Sequence, residues 1–252
     1  MAYSTVNTTA GGQTIKVLVP TGWANGGKCV VYHHGRTELA SHLTSDTDKS
    51  SVVNRLTDDG YIVAASDAAG DNWGNQASLD AYAALKTYLD SNYAPSAYAY
   101  WAQSMGGLSA LNAIASGVVV AGVYGAFQAC SLAAMFNANV GATYPPSIRT
   151  AYGIASDGSD YSSKTSGFDP LLASASAYLR VPMRFVASAS DVSVTKTANS
   201  DAMAAHVAGQ LAEHDVITHT GVHGDASVHK PQDISDFMAR CFVARSSTHR
   251  RM

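Results

Sequence analysis

The sequence predicts an α/β fold, with a mostly parallel central sheet of about seven to eight strands flanked by helices. Three observations carry this. From about Thr14 onward short apolar runs alternate with longer helical patterns, the signature of consecutive βα units. Most of those short runs are apolar almost without interruption, as strands buried on both faces require. The chain has 252 residues, 46% of them hydrophobic, enough to bury one substantial core. A single domain over residues 1–252 is therefore expected.

The elements run in order. Thr14 to Val19 reads as a strand ending at Pro20, Lys28 to His33 as a β-branched and aromatic strand, and Tyr61 to Ala65 as a strand after the Asp58 to Gly60 turn. Ala97 to Ala102, Val118 to Tyr124, Met183 to Ala187 and Asp215 to Thr220 complete the set. Helices are predicted over Ser50 to Asp58, Ser78 to Ser91, Met105 to Ser116, Thr197 to Glu213 and Asp233 to Val243. In the second of these, Leu79, Tyr82, Ala83, Leu85, Tyr88 and Leu89 recur at three- and four-residue steps and leave Asp80, Lys86 and Asp90 outward. The last comes after Lys230-Pro231, since Pro suits a helix start. From Phe127 to Tyr178 the rhythm breaks. Pro145-Pro146 and clusters of Gly, Ser and Asp leave one clear helix, Ser131 to Asn139. Residues 127–178 are read as a cap or lid inserted over the active-site end of the sheet.

Composition excludes several classes. Charged residues make up 14% of the chain and the formal net charge is −3, so the basic stripe of a nucleic-acid binder is missing. The one basic cluster, Arg245 to Arg251, reads as a frayed terminus. No run reaches the roughly 18 apolar residues of a membrane span. Met1 to Thr9 is polar and lacks a basic region followed by an apolar one, so no secretory signal is expected, and a cytoplasmic or virion-associated setting stays open. Cys29, Cys130 and Cys241 are far apart with no metal-ligand spacing; two of them sit in apolar runs and read as buried small hydrophobes, and a disulfide framework is not expected.

The most informative stretch is Tyr98-Ala99-Tyr100-Trp101-Ala102-Gln103-Ser104-Met105-Gly106-Gly107, followed by Leu108, Ala110, Leu111, Ala113 and Ile114 at helical spacing. A strand, then small-x-Ser-x-Gly, then a helix is a nucleophile elbow. The turn is so sharp that Ser104 is strained, and Ala102 and Gly106 must be small for the two backbones to approach. The helix points its free N–H groups and positive dipole end at the serine, so the Met105 N–H is a candidate oxyanion donor. Ser156-Asp157-Gly158 is a decoy, lacking the preceding strand. This elbow resembles that of α/β-hydrolases, and the Ser, Asp, His order of the candidate triad is similar to theirs. The resemblance runs roughly from Ile15 to Val243 and is specific only around Ser104 and His34-Gly35.

That resemblance implies an oxyanion loop at His33-His34-Gly35-Arg36-Thr37, with Arg36 N–H as the second donor. It also implies an acid at Asp191, in Ser190-Asp191-Val192-Ser193-Val194 just past a strand; the alternative is a loop aspartate that caps the next helix. Asp201 and Asp225 are weaker candidates. For the base, His223 sits just past the last strand between glycines, His219 lies within that strand, and His229 is the reserve. His34, Gly35, Gln103 and Trp73 are candidate substrate contacts, although packing is the default reading for His34 and more so for His33, and Trp73 reads equally well as a pocket wall or a packed loop tryptophan. A zinc site from His219, His223, Asp225 and His229 is a rival that would leave the elbow without purpose.

These readings imply a serine hydrolase that needs no cofactor or metal and cleaves a small-molecule or polymer-linked carboxylic ester, or an amide, through an acyl-enzyme. Perhydrolysis or acyl transfer to another alcohol would use the same three residues. A non-catalytic binding module on the same fold is the other class. The composition, rich in Ala, Thr and Ser and poor in Lys, also faintly resembles hydrolase modules of actinobacterial phages, which suggests a virion component.

Overall fold

The computed structural model describes residues 3–137, 143–210 and 213–248, with the side chains of 245–248 left out. One sheet holds eight strands: β1 (Tyr3–Ala10), β2 (Gln13–Pro20), β3 (Lys28–His33), β4 (Ile62–Ser66), β5 (Ala97–Gln103), β6 (Val123–Ala126), β7 (Met183–Ser188) and β8 (His214–His219). Their spatial order is β1-β2-β4-β3-β5-β6-β7-β8. β1 and β2 run antiparallel, β2 and β4 likewise, and the rest are parallel. The helices are α1 (His42–Ser45), α2 (Thr47–Asp58), α3 (Gln76–Tyr93), α4 (Gly106–Ala115), α5 (Leu132–Asn137), α6 (Tyr144–Tyr152), α7 (Tyr161–Lys164), α8 (Ala202–His206) and α9 (Pro231–Thr248).

Strand alternation divides the core. Cys29 and Val31 face one side with Tyr98, Tyr100, Leu85 of α3 and Leu111 of α4. Val30 and Tyr32 face the other with Trp101, Leu56 of α2, and Phe237 and Met238 of α9. Helices on both faces leave the central parallel strands no solvent-exposed side, which is why their sequences lack polar alternation.

Four expectations needed correction. β1 carries no strand signal in the sequence because it is a half-exposed edge strand rich in Thr; it joins β2 through Gly11-Gly12, both at positive φ (56° and 76°), the pair a two-residue hairpin favours. β6 begins at Val123 rather than Val118, because Val118 N–H donates to Ala113 O and closes the end of α4. The helix expected over Thr197 to Glu213 is a π-turn at Thr197–Asp201 followed by the short α8, with residues 211–212 outside the described ones. Pro145 and Pro146 start a helix: they sit in the first turn of α6, where a missing N–H costs nothing. The predicted Ser131 to Asn139 helix is α5, and its last two positions, like the Arg250-Arg251 tail, fall outside the described residues.

Helices α5 and α6 contribute Leu132, Met135, Tyr144 and Ile148 to a third apolar cluster, which meets Trp73, Met105 and Leu108. Polar bonds fix the same contact: Ser147 Oγ accepts from Trp73 Nε1 at 2.8 Å, and Asn75 Nδ2 donates to Ala151 O at 2.8 Å. The segment thus rests on the loop after β4 and on the start of α4.

His33, at the end of β3, is fully buried, stacked on Tyr82 at 3.8 Å with Nδ1 3.0 Å from Ser109 Oγ. Burial, with His34 nearby, holds its imidazole well below the ordinary value of 6.5. Below that value the unfolded chain binds a proton that the folded chain refuses, so stability falls as pH drops, by up to about 1.4 kcal/mol per pH unit from this group. Thermal melts from pH 7 to pH 5 should show this decline, and His33→Gln should flatten its slope; an unchanged slope would clear His33.

Candidate active site

The elbow has the geometry its sequence requires. β5 ends at Gln103, and Ser104 adopts φ 49°, a left-handed value rare outside glycine. The surrounding backbone holds it there: Ser104 N–H donates to Ala126 O at 3.0 Å, while its carbonyl accepts from Gly107 N–H at 3.0 Å and Ala129 N–H at 2.8 Å. Gly106 is obligatory, since a Cβ there would lie 2.1 Å from His33 O. A Cβ on Gly107 would stand 2.4 Å from Ala129 O.

Three residues from three distant segments converge. Ser104 Oγ lies 3.0 Å from His223 Nε2, and His223 Nδ1 lies 2.7 Å from Asp191 Oδ2. The Asp191 side chain is 1% exposed. Its second oxygen accepts from the N–H groups of Ser193 and Val194, each at 2.8 Å. Capping the backbone and orienting the histidine are therefore not exclusive roles for this aspartate; one carboxylate does both. Phe127, at positive φ just past β6, packs its ring 5.3 Å from the His223 imidazole and backs it. Sequence reasoning missed Phe127, because a lone aromatic at a strand end carries no signal of this kind.

The other histidines go elsewhere. His219 Nε2 is 3.2 Å from Ser227 Oγ, and His229 sits edge-on to Trp101 with its pKa lowered by burial and by Lys49. Asp225 accepts from Ser227, and Asp201 pairs with Lys196. Among the described residues no three His, Cys, Asp or Glu side chains gather as a metal site, so the four candidate zinc ligands do not converge.

The loop after β3 comes up against the serine: a Cβ on Gly35 would lie 3.5 Å from Ser104 Cβ. Gly35 N–H donates to Glu38 Oε2 at 3.1 Å, whereas among the described residues the N–H groups of Arg36 and Met105 meet no acceptor. The Arg36 side chain turns toward Asp71 at 3.9 Å and over the Tyr144 ring. Three of the candidate substrate contacts prove otherwise engaged. His34 is buried with its ring nitrogens 2.8 Å from Gly35 O and 2.9 Å from Asp67 O. Trp73 is 1% exposed, a packed loop tryptophan bonded to Ser147. The Gln103 amide faces inward, with Nε2 donating to Glu38 Oε1 and Oε1 lying 3.1 Å from Tyr32 Oη.

Beneath the site lies a buried polar cluster that the sequence did not announce. Glu38 also accepts from Tyr32 Oη at 2.7 Å and from Lys49 Nζ at 3.0 Å, and Lys49 reaches Asp46 at 2.5 Å. Burial pushes the Glu38 carboxyl up, but Lys49 and the hydrogen bonds from Tyr32 and Gly35 outweigh it and leave the group below its ordinary value. At the rim, Val192 and Val222, neighbours of Asp191 and His223 in sequence, expose 74% and 64% of their surface.

No protein-family model matches the chain, and no curated protein sequence matches it. Solved structures do. Puromycin hydrolase superposes with a TM-score of 0.69 at 18% identity, covering 90% of this chain and 37% of that one. An esterase from Pyrococcus furiosus gives 0.65 at 14% identity over 96% and 92% of the two chains. The S-formylglutathione hydrolase of Agrobacterium tumefaciens gives 0.69 at 12% identity over 95% and 93%. The chain thus spans little more than a third of the first and nearly all of the other two. With an eight-stranded, mostly parallel sheet, helices on both faces and these structural likenesses, the chain has the α/β-hydrolase fold.

Proposed function

We propose that the chain is a serine hydrolase that cleaves carboxylic esters through an acyl-enzyme. The observation that carries the reading is the continuous chain Ser104 Oγ, His223 Nε2, His223 Nδ1, Asp191 Oδ2, at 3.0 and 2.7 Å, set on a strained elbow. His223 takes the Ser104 proton as Oγ attacks the ester carbonyl. Asp191 keeps the imidazole in the tautomer with its free nitrogen toward the serine. The N–H groups of Arg36 and Met105 hold the tetrahedral oxyanion, helped by the N-terminus of α4. His223 then protonates the departing alcohol, and water repeats the sequence to release the acid. Residues 127–178 act as a cap, with Leu132 and Met135 of α5 and Tyr144 and Ile148 of α6 seated on Trp73, Met105 and Leu108 beside the elbow.

Related folds bear the names of a puromycin hydrolase, an esterase and an S-formylglutathione hydrolase, so ester, thioester and amide substrates all merit assay. The non-catalytic reading calls for a displaced Asp191 or His223, or an occluded Ser104; the two distances speak against displacement, and Ser104 keeps 9% of its surface exposed. These likenesses lend no support to a phage origin. The test is hydrolysis of p-nitrophenyl acetate and butyrate, with a fluorophosphonate probe and intact mass to locate an adduct. Turnover with labelling at Ser104 is expected; folded protein with neither would end the proposal. Asp191→Asn should keep the fold and lower kcat by about 10⁴-fold near neutral pH, because the wrong imidazole tautomer then faces the serine. A loss below tenfold would remove Asp191 from the mechanism.

A further inference from the structure

We infer that Glu38 is a positioning residue that fixes the spacing between the two halves of the oxyanion hole. The inference rests on the hydrolase reading above. The two candidate donors lie on separate segments: Arg36 on the loop after β3, Met105 on the elbow. Each segment sends one group to the same carboxylate. Gly35, directly before Arg36, donates its N–H to Oε2 at 3.1 Å, and Gln103, two before Met105, donates Nε2 to Oε1 at 3.1 Å. Tyr32 Oη, 2.7 Å from Oε2 and 3.1 Å from Gln103 Oε1, closes the triangle.

The bond to Gly35 also selects the donor. It engages the Gly35 N–H, so the next N–H, that of Arg36, is the one the loop can offer. Stability does not account for the arrangement. The Glu38 and Lys49 side chains are 15% and 2% exposed, and for a pair this buried the desolvation penalty offsets much of the attraction, so apolar residues of similar volume serve the fold about as well. What apolar residues cannot do is accept hydrogen bonds from both segments at once. Lys49, held also by Asp46, keeps the carboxylate ionised and fixed from behind.

Two double variants separate positioning from charge pairing. Glu38→Gln with Lys49→Met removes both charges but keeps an acceptor for Gly35, and the Gln103 amide can turn to meet the new one. Glu38→Leu with Lys49→Met removes the charges and the acceptor. The expected result is kcat within about fivefold of wild type in the first and lower by about 10- to 100-fold in the second, with KM within about threefold in both; the loss is smaller than deleting an oxyanion donor outright. Gln103→Met, which cuts only the strut to the elbow, should lower kcat by about tenfold and serves if the Leu variant does not fold. Backbone hydrogen exchange at Gly35, whose N–H is bonded to Glu38, should quicken in the Leu variant and not in the Gln variant. Equal kcat in the two double variants, or wild-type kcat in Gln103→Met, would overturn the inference. If the wild-type protein neither turns over esters nor labels at Ser104, the hydrolase reading fails by itself, and exchange at Gly35 still decides whether Glu38 holds the loop.

Discussion

Ser104→Ala should abolish ester turnover to within the residual that binding and an oxyanion hole supply, a fall of about 10⁴-fold or more in kcat, with little change in melting temperature. Ser104→Gly should be equally inactive yet more stable. Ser104 sits at φ 49°, where a side chain costs on the order of 1 kcal/mol and glycine nothing. Part of that gain, about 0.5 kcal/mol, is returned through glycine's freedom in the unfolded chain, leaving a rise of about 1–2 °C in melting temperature. Alanine keeps the Cβ and therefore the strain, so the two variants differ in stability but not in activity. Kinetics and calorimetry on the pair suffice. Turnover by either within tenfold of wild type would exclude Ser104 as the nucleophile, and equal melting temperatures would mean that the strained conformation is not maintained.

Gly106→Ala has the largest expected effect on the fold. The added carbon would meet His33 O at 2.1 Å, His33 C at 2.5 Å and His34 O at 2.7 Å, all backbone, with no flexible side chain to yield. Either α4 lifts off β3, at about 3 kcal/mol or more, or the loop carrying Gly35 and Arg36 is pushed outward. Both outcomes lower activity, and equilibrium urea unfolding distinguishes them: the first shifts the midpoint, the second spares it while kcat falls. A variant with normal stability and normal kcat would contradict the close contact.

What the sequence revealed and what it hid divide along a physical line. Central strands announce themselves because burial on both faces forces a continuous apolar run; the edge strand β1 does not, because Thr and Asn satisfy a half-wet surface as well as a loop would. The elbow is legible because its constraints are local: strand, serine and glycines lie within ten residues. His223 is legible for a similar reason, its place at the end of the last strand. Glu38, Lys49 and Tyr32 are not, since nothing in a helix bearing Lys49 reveals that this lysine points inward to a carboxylate eleven positions earlier. Gln103 misled in the opposite sense: next to the nucleophile in sequence, its amide faces the interior. Pro145-Pro146 looked like an interruption because proline stops a helix and also starts one, and only the residues after it decide which.

The serine and its histidine are separated by 119 positions, and the histidine and its aspartate by 32. Between the first pair the chain must lay down β6, residues 127–178, β7 and β8. No early fragment of the molecule contains the site, and no local hairpin or helix pair can build it. Contacts this distant in sequence form after the entropy of closing long loops has been met, so the assembly of these three side chains is a late event in folding. During synthesis, Ser104 leaves the ribosome long before the imidazole that completes the hydrogen-bonded chain, and the backbone bonds that strain it form only with the sheet.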